Sequence, residues 1–491
     1  MYERAPRIIK NKLSWLASGL LLSFIFLALI FADSRPAAAV PLPTVKIRPL
    51  PAFARKYGLP CSSCHLGWPM LSPFGQAFKD NGYQLGNDRD APIYQDPGYW
   101  PVTFRITPIW HRESTNRVAV DDPANPGNTI EAKVTTDGFD WSGLDFHTGG
   151  TLAKNISFYV LPSSDNTGAF HFESVWARLD NLFGSSWLNI KMGKFELDNL
   201  LSEKRILTLT NVAGIYANYH FQPLVSPASL KTTPASALST ENYSFGIGDN
   251  QVGVEWMGHS KDDRTRVSAA LLNSNDGNPS FSSNNGGGGI LTGRAYDGYI
   301  AASQAFEIGS LGLQRVGGFA YFGQEPTFPQ YTQAGTAIDG TGIGNKPFYR
   351  FGAIGQWYIK KVDITTMYFH GWDSAYLGSD TAANATLPTG AQAPSWNGGL
   401  FETHYTPNPR ILLINRYEII RMSQQVFASN PSNFGDMDVL TVGYRYYPFI
   451  SSRAGFAFHN EYAIQWQRGA SPITGSNLTT SSLLVGFDFA F

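Results

Sequence analysis

From about residue 102 onward, apolar and polar residues alternate with a period of two, the spacing that turns successive side chains to opposite faces of a β-strand. "TFRITPIWH" sets Phe104, Ile106, Pro108 and Trp110 against Arg105, Thr107 and His111. "AFHFESVWA" sets Phe170, Phe172 and Trp176 against His171 and Glu173. "VGVEWMG" sets Val252, Val254 and Trp256 against Gly253, Glu255 and Met257, and "FAFHNEYAIQW" sets Phe456, Phe458, Ile464 and Trp466 against His459, Glu461 and Gln465. One face is oily and aromatic; the other is polar and often charged. A soluble sandwich alternates in the same way around its core, whereas an outer-membrane barrel turns the apolar face to lipid and the polar face to its lumen.

Two features favour the barrel. In "SSLLVGFDFAF", Leu483, Val485, Phe487, Phe489 and Phe491 share one face, and this ending resembles the assembly signal of bacterial outer-membrane barrels. Long polar or Gly/Asn/Pro-rich segments fall near 112–137, 162–169, 196–245, 273–295, 325–346, 373–399, 424–436 and 467–480. Between them lie tight turns at Asp180-Asn181, Lys261-Asp262-Asp263, Lys360-Lys361 and Pro407-Asn408-Pro409. Long loops on one side and short turns on the other are the asymmetry of such barrels. The expectation is an all-β, transmembrane outer-membrane β-barrel of about 16 antiparallel strands, within about 14–18, over residues 99–491.

Composition agrees. Only 15% of the 491 residues are charged, 14% are aromatic, and the net charge of −1 argues against a nucleic-acid partner. Arg4, Arg7, Lys10 and Lys12 precede an apolar run from about Leu16 to Ala32, and Ala37 and Ala39 supply small residues for cleavage. Residues 1–39 therefore read as a signal peptide cleaved after Ala39, although the run approaches the shorter spanning helices in length. The glycine run from Gly286 to Gly289 lacks the GK[ST] ending of a phosphate loop, and neither G-x-S-x-G nor H-E-x-x-H occurs in the chain.

The chain's two cysteines both lie in "LPCSSCHLGWPM", as Cys61-x-x-Cys64-His65. That spacing is the attachment site of a c-type haem, with thioethers from Cys61 and Cys64 and His65 as proximal ligand to the iron. Residues 40–98 are too few to bury much core alone, so a haem and a barrel lumen would serve as staple and packing surface. Phe53, Tyr57, Trp68, Phe74, Phe78 and Tyr83 are then expected to pack on the porphyrin or the inner wall. The second axial ligand stays open among Met70, His111, His147, His171 and His459.

"FARKYGLPCSSCHLGWPMLSPFGQAFKDNGY", residues 53–83, resembles the N-terminal signature of the fused monohaem cytochrome–porins, a group that includes outer-membrane iron oxidases. The shared features are Arg55-Lys56-Tyr57, the C-x-x-C-H, and then Pro69, Leu71, Phe74, Gly75, Phe78, Lys79, Gly82 and Tyr83. The resemblance implies an outer-membrane conduit that takes electrons from an extracellular donor, typically Fe(II), through one haem c to a periplasmic c-type cytochrome. Lumen carboxylates Glu173, Glu255, Glu461 and Asp488 suit a hard cation, and they are also balanced by Arg105, Lys191, Arg264 and Arg266. Two other readings stand beside it. One is a solute porin with a structural or regulatory haem plug; the other is a peroxidase-like reductase, which needs an open sixth site and a distal acid–base group.

Overall fold

The computed structural model describes residues 52–67, 70–86, 90, 92, 102–164, 168–197, 250–273, 296–327, 330–331, 337–338, 344–373, 395–422, 436–450, 455–469, 471 and 473–490, all within one compact unit. Residues 1–39, and with them the expected signal peptide, lie outside the described residues. Sixteen of the strands form one closed, antiparallel barrel. They are β1 (Val102–Asp121), β2 (Thr129–Ala153), β3 (Ile156–Ser164), β4 (Phe170–Leu179), β5 (Asn189–Phe195), β6 (Gln251–His259), β7 (Thr265–Asn273), β8 (Tyr296–Ile308), β9 (Gly312–Thr327), β10 (Gly344–Ile359), β11 (Val362–Asp373), β12 (Ser395–Asn408), β13 (Ile411–Met422), β14 (Met437–Ile450), β15 (Gly455–Gln467) and β16 (Leu478–Ala490). Each pairs with its neighbours in sequence, and β16 closes on β1 from Thr480↔Thr115 to Ala490↔Arg105. Closure leaves no strand edge unpaired, which the interior of a bilayer requires of a sheet.

The alternation reads out as expected on most strands. Val254, Trp256, Phe458, Trp466, Leu483 and Val485 are exposed on the outer wall, while Glu255, Met257, His459, Glu461 and Asp488 are buried inside it. An apolar outside around a polar inside is the arrangement of a barrel in lipid, the reverse of a soluble sandwich. The chain is thus an outer-membrane-type barrel.

Two stretches depart from the expectation. Between β3 and β4 the register jumps from Leu161↔Ser174 to Pro162↔Phe172, leaving Glu173 as a bulge. Pro162 has no N–H to continue the ladder, and one extra residue flips every later side chain to the other face. Phe170 and Phe172 therefore face outward, but Trp176 points inward and is 7% exposed. The polar stretch 112–137 is not a loop. It is a tall hairpin in which β1 and β2 stay paired up to Asp121↔Thr129 around a turn at 122–128. Above the membrane both faces of a strand are wet, so the ladder continues while the period-two pattern fades.

The turns sort by end. Among the described residues, the connections at 154–155, 180–188, 260–264, 309–311, 360–361 and 409–410 lie at one mouth, the short-turn end that faces the periplasm in barrels of this type. The β4–β5 connection is longer than the expected Asp180-Asn181 pair because a 3₁₀ turn, Leu182–Gly184, extends it.

Candidate functional site

Ahead of β1, the described residues fold three short helices: α1 (Ala52–Tyr57), α2 (Cys61–Cys64) and α3 (Pro73–Asp80). α3 begins where Ser72 accepts a hydrogen bond from the Gly75 N–H at 3.1 Å and Pro73 supplies a preset first turn. It ends where Gly82 and Tyr83 take positive φ of 71° and 59°, with the Tyr83 N–H donating to Phe78 O at 2.9 Å. Glycine is required at 82 twice over, since a Cβ there would also come within 2.7 Å of the Asp180 carboxyl carbon.

This segment is a plug built into the short-turn mouth. Lys56 donates to Thr151 Oγ1 at 3.3 Å, at the foot of β2. Arg178 on β4 donates to the Lys79 carbonyl and to Asp180, each at 2.5 Å. Asp80 meets Arg266 on β7 at 2.9 Å, and Arg266 also pairs with Asp263 in the adjoining turn. Lys79 pairs with Glu196 at 3.3 Å. Met70, Pro73 and Gln76 line a small cavity with Arg315 of β9 and Tyr358 of β10, and Met70 packs on Leu412 and Ile414 of β13. Most of these wall residues stand within a few positions of a short turn, and together they bracket the plug from several sides of the barrel.

The plug's own core is aromatic. Phe53 stacks on Tyr83 with centroids 4.5 Å apart, Phe78 meets Phe53 and Tyr57 edge-on, and Tyr83 stacks on Trp176 of the wall at 6.1 Å. The Tyr57 hydroxyl lies 2.7 Å from both Tyr83 O and an Asp90 carboxylate oxygen, which compete for its one proton. Burial, set partly against the Arg178 guanidinium, pushes the Tyr83 phenol well above its ordinary range. Burial alone would raise the Asp80 carboxyl too, but Arg266 and then Lys79 outweigh it and hold Asp80 below the usual carboxylate range. The expected aromatic set is therefore placed in part. Phe53, Tyr57, Phe78 and Tyr83 form the core, Phe74 is 44% exposed, and Trp68 lies outside the described residues.

The cysteine motif occupies α2. Positions 61 and 64 are three apart on one helical turn and so share a face. His65 begins a two-stranded ladder in which it pairs with Leu71. The turn is pinned from behind: Ser72 N–H donates to Cys64 O at 2.8 Å, Ser72 Oγ donates to Ser63 O at 2.8 Å, and α3 packs its Gly75 directly on the Cys64 carbonyl. Cys64 and His65 are both half-buried. Two cysteine positions three apart on one helical turn, followed at once by an imidazole, match the donor set of a thioether-linked haem.

The candidates for a second axial ligand disperse. Met70 lies opposite Gly67, on the other face of the ladder from His65 and Leu71, and is buried against Leu412 and Ile414. His111 stands in the tall hairpin beside Glu113, and His171 is exposed near the long-loop end of β4. His459 is buried between Glu461, at 2.6 Å, and Asp488, at 3.7 Å. His147 stands on the strand that meets the plug: β2 also carries Gly149, which abuts Phe53, and Thr151, which binds Lys56. Its Nδ1 lies 2.6 Å from the Tyr159 hydroxyl.

The lumen carboxylates are paired with cations. Glu255 binds Lys191 and Asp488 binds Arg105 at 2.9 Å, while Glu461 lies 2.6 Å from the His459 imidazole. A second buried cluster, absent from the sequence reading, sets His404 between Asp363 at 2.6 Å and Glu402 at 2.5 Å, with Arg416 on the other Glu402 oxygen. Its members alternate inward on β11, β12 and β13, so their parity was legible but their convergence across strands was not. Among the described residues, no group of three or more His, Cys, Asp or Glu side chains is arranged to hold a metal ion.

No protein-family model matches the chain, and no curated protein does. Among solved structures, it is similar to OmpF of Salmonella typhi in complex with daunomycin, at 10% identity and TM-score 0.44, over 82% of this chain and 100% of that one. It is similar to the channel DcaP of Acinetobacter baumannii at 8% identity and TM-score 0.43, over 79% and 97%. An anion-selective porin from Comamonas acidovorans matches at 11% identity and TM-score 0.42, over 79% and 99%. The closed ladder and the apolar outer wall make this chain a barrel irrespective of these likenesses.

Proposed function

We propose that this chain is an outer-membrane electron-transfer protein with one c-type haem, held by Cys61, Cys64 and His65. It takes electrons from an extracellular donor, Fe(II) being the leading one, and passes them to a periplasmic c-type cytochrome. Export through a signal peptide cleaved after Ala39 delivers it to the compartment where haem is attached. The observation that carries the reading is the C-x-x-C-H turn's position in a plug at the short-turn mouth of a closed barrel. A redox group on a barrel has a use when donor and acceptor lie on opposite sides of an insulating membrane.

When bound, the haem supplies a one-electron site. The chain's own residues do the rest. Cys61 and Cys64 fix the group on one face of α2, and the His65 imidazole is the ligand carried by the motif. Ser72 and Gly75 brace that turn against α3. The Tyr83–Trp176 stack and the Asp80–Arg266 pair hold the plug to the wall and limit water around it.

The test is reduction of the purified, detergent-solubilised protein by Fe(II), followed in the haem absorption bands. Rapid reduction, with reoxidation by a soluble c-type cytochrome, supports the conduit. No reduction by Fe(II) beside a normal dithionite spectrum removes iron as the donor. Ion conductance without electron transfer replaces the conduit with a solute porin.

A further inference from the structure

We infer that the short turns around the plugged mouth form a cationic docking surface for a soluble protein with an acidic face. This rests on the conduit reading and deepens it by giving the electron acceptor a surface chemistry. Lys154 in the β2–β3 turn, Lys261 in the β6–β7 turn, Lys360 and Lys361 in the β10–β11 turn and Arg410 in the β12–β13 turn are all exposed. Among the described residues none of the five is in an ion pair with a carboxylate. Lys361 gives one hydrogen bond to the Pro407 carbonyl, a neutral acceptor, at 2.6 Å. Among the described residues, the exposed acids in these short turns and their flanks, Asp262 and Glu307, are both engaged by Arg264, at 3.5 and 2.6 Å.

The excess is local, because the whole chain carries a net charge of −1. At the other end, the tall hairpin carries Glu113, Asp121, Asp122, Glu131, Asp137 and Asp140 against Arg112, Arg117 and Lys133. The hairpin and the described short turns are therefore of opposite sign. Charges of one sign spread around a mouth steer an oppositely charged partner by diffusion and fix its orientation, an effect that salt removes. The cations encircle the plug that bears α2, so a protein centred on the ring would lie over the cysteine turn. Anionic lipid headgroups share the chemistry but can touch only the outer circumference, which makes an acidic protein the better fit to a ring.

The experiment uses the full chain in detergent, both unsubstituted and as the haem-free Cys61→Ala/Cys64→Ala variant. The probes are a basic soluble cytochrome c and the same cytochrome after succinylation, which keeps its fold and inverts its surface charge. The succinylated form should associate roughly tenfold faster than the unmodified form at low salt, and the difference should vanish at high salt. Lys360→Glu/Lys361→Glu should erase most of that preference. Because Lys361 also holds the Pro407 carbonyl, Lys154→Glu/Lys261→Glu serves as a second variant on other turns, with the same expected loss. Equal association of both probes, or a preference that survives both variants, overturns the inference. So does an outcome in which the variants lose binding to phosphatidylglycerol vesicles while cytochrome association is unchanged. Salt-sensitive association by the haem-free chain upholds the docking surface even if electron transfer fails, so the two readings fail separately.

Discussion

Gly75→Ala tests how the haem-attachment turn is held. A Cβ at position 75 would overlap the Cys64 carbonyl oxygen and stand 2.8 Å from its carbonyl carbon and 2.9 Å from its Cα. Carbon atoms in contact sit about 3.5–4.0 Å apart, so α3 and α2 must separate by about 1 Å to admit one methyl. Neither side yields easily, because both are backbone and Ser72 ties them together through Cys64 O and Ser63 O, each at 2.8 Å. Overpacking of this kind costs about 1–3 kcal/mol or more, and the better helix propensity of alanine returns up to about 1 kcal/mol. The net loss, on the order of 1–2 kcal/mol, makes the correctly closed plug several-fold to roughly 30-fold less favoured over its opened form. The assay is haem per barrel, from absorbance and haem staining, read beside heat-modifiable gel mobility as a measure of barrel folding. Haem loading should fall and the barrel should remain folded. Full loading, with the plug as resistant to protease as in the unsubstituted protein, would refute the close approach of Gly75 to Cys64.

Four further outcomes follow from the plug's contacts. Cys61→Ala/Cys64→Ala should abolish covalent haem without disturbing barrel mobility on gels; haem that survives denaturing electrophoresis in this variant would sink the attachment reading. Asp80→Asn should destabilise plug docking by about 3 kcal/mol, the lower end for a broken buried pair because Arg266 keeps Asp263, and limited proteolysis of the plug would report it. The same pair predicts acid sensitivity: the Asp80 carboxyl is held below the usual carboxylate range, so its contribution is complete above that range and is lost as pH falls through the lower folded value, which plug proteolysis against pH would trace. Trp176→Ala should cost about 3–5 kcal/mol by removing the ring under Tyr83, whereas the outward Phe172→Ala should leave plug protection unchanged.

Phe458 against His459, Val254 against Glu255 and Leu483 against Leu484 show what the period-two pattern determined: which side chains meet lipid and which line the lumen. Parity is a property of the extended backbone, so it survives any arrangement of neighbouring strands. The C-x-x-C-H spacing likewise determined the candidate attachment chemistry, since one helical turn suffices to bring both positions to one face. Trp176 shows the limit of this reasoning. The bulge at Glu173 is a matter of pairing between β3 and β4, and no pattern within β4 alone could place that indole inside. The tall hairpin escaped for a related reason, because a strand wetted on both faces carries no hydrophobic period.

Only the tertiary structure decided where the plug sits and what holds it there. Asp80 meets Arg266, Gly82 meets Asp180, and Tyr83 meets Trp176 across long separations in sequence, and each contact exists only because barrel closure brings those strands around one mouth. The turn that bears Cys61, Cys64 and His65 was readable from twelve letters of sequence. Its position at the short-turn end, inside a ring of exposed lysines, follows from closure of sixteen strands on themselves, a long-range condition that no local stretch encodes.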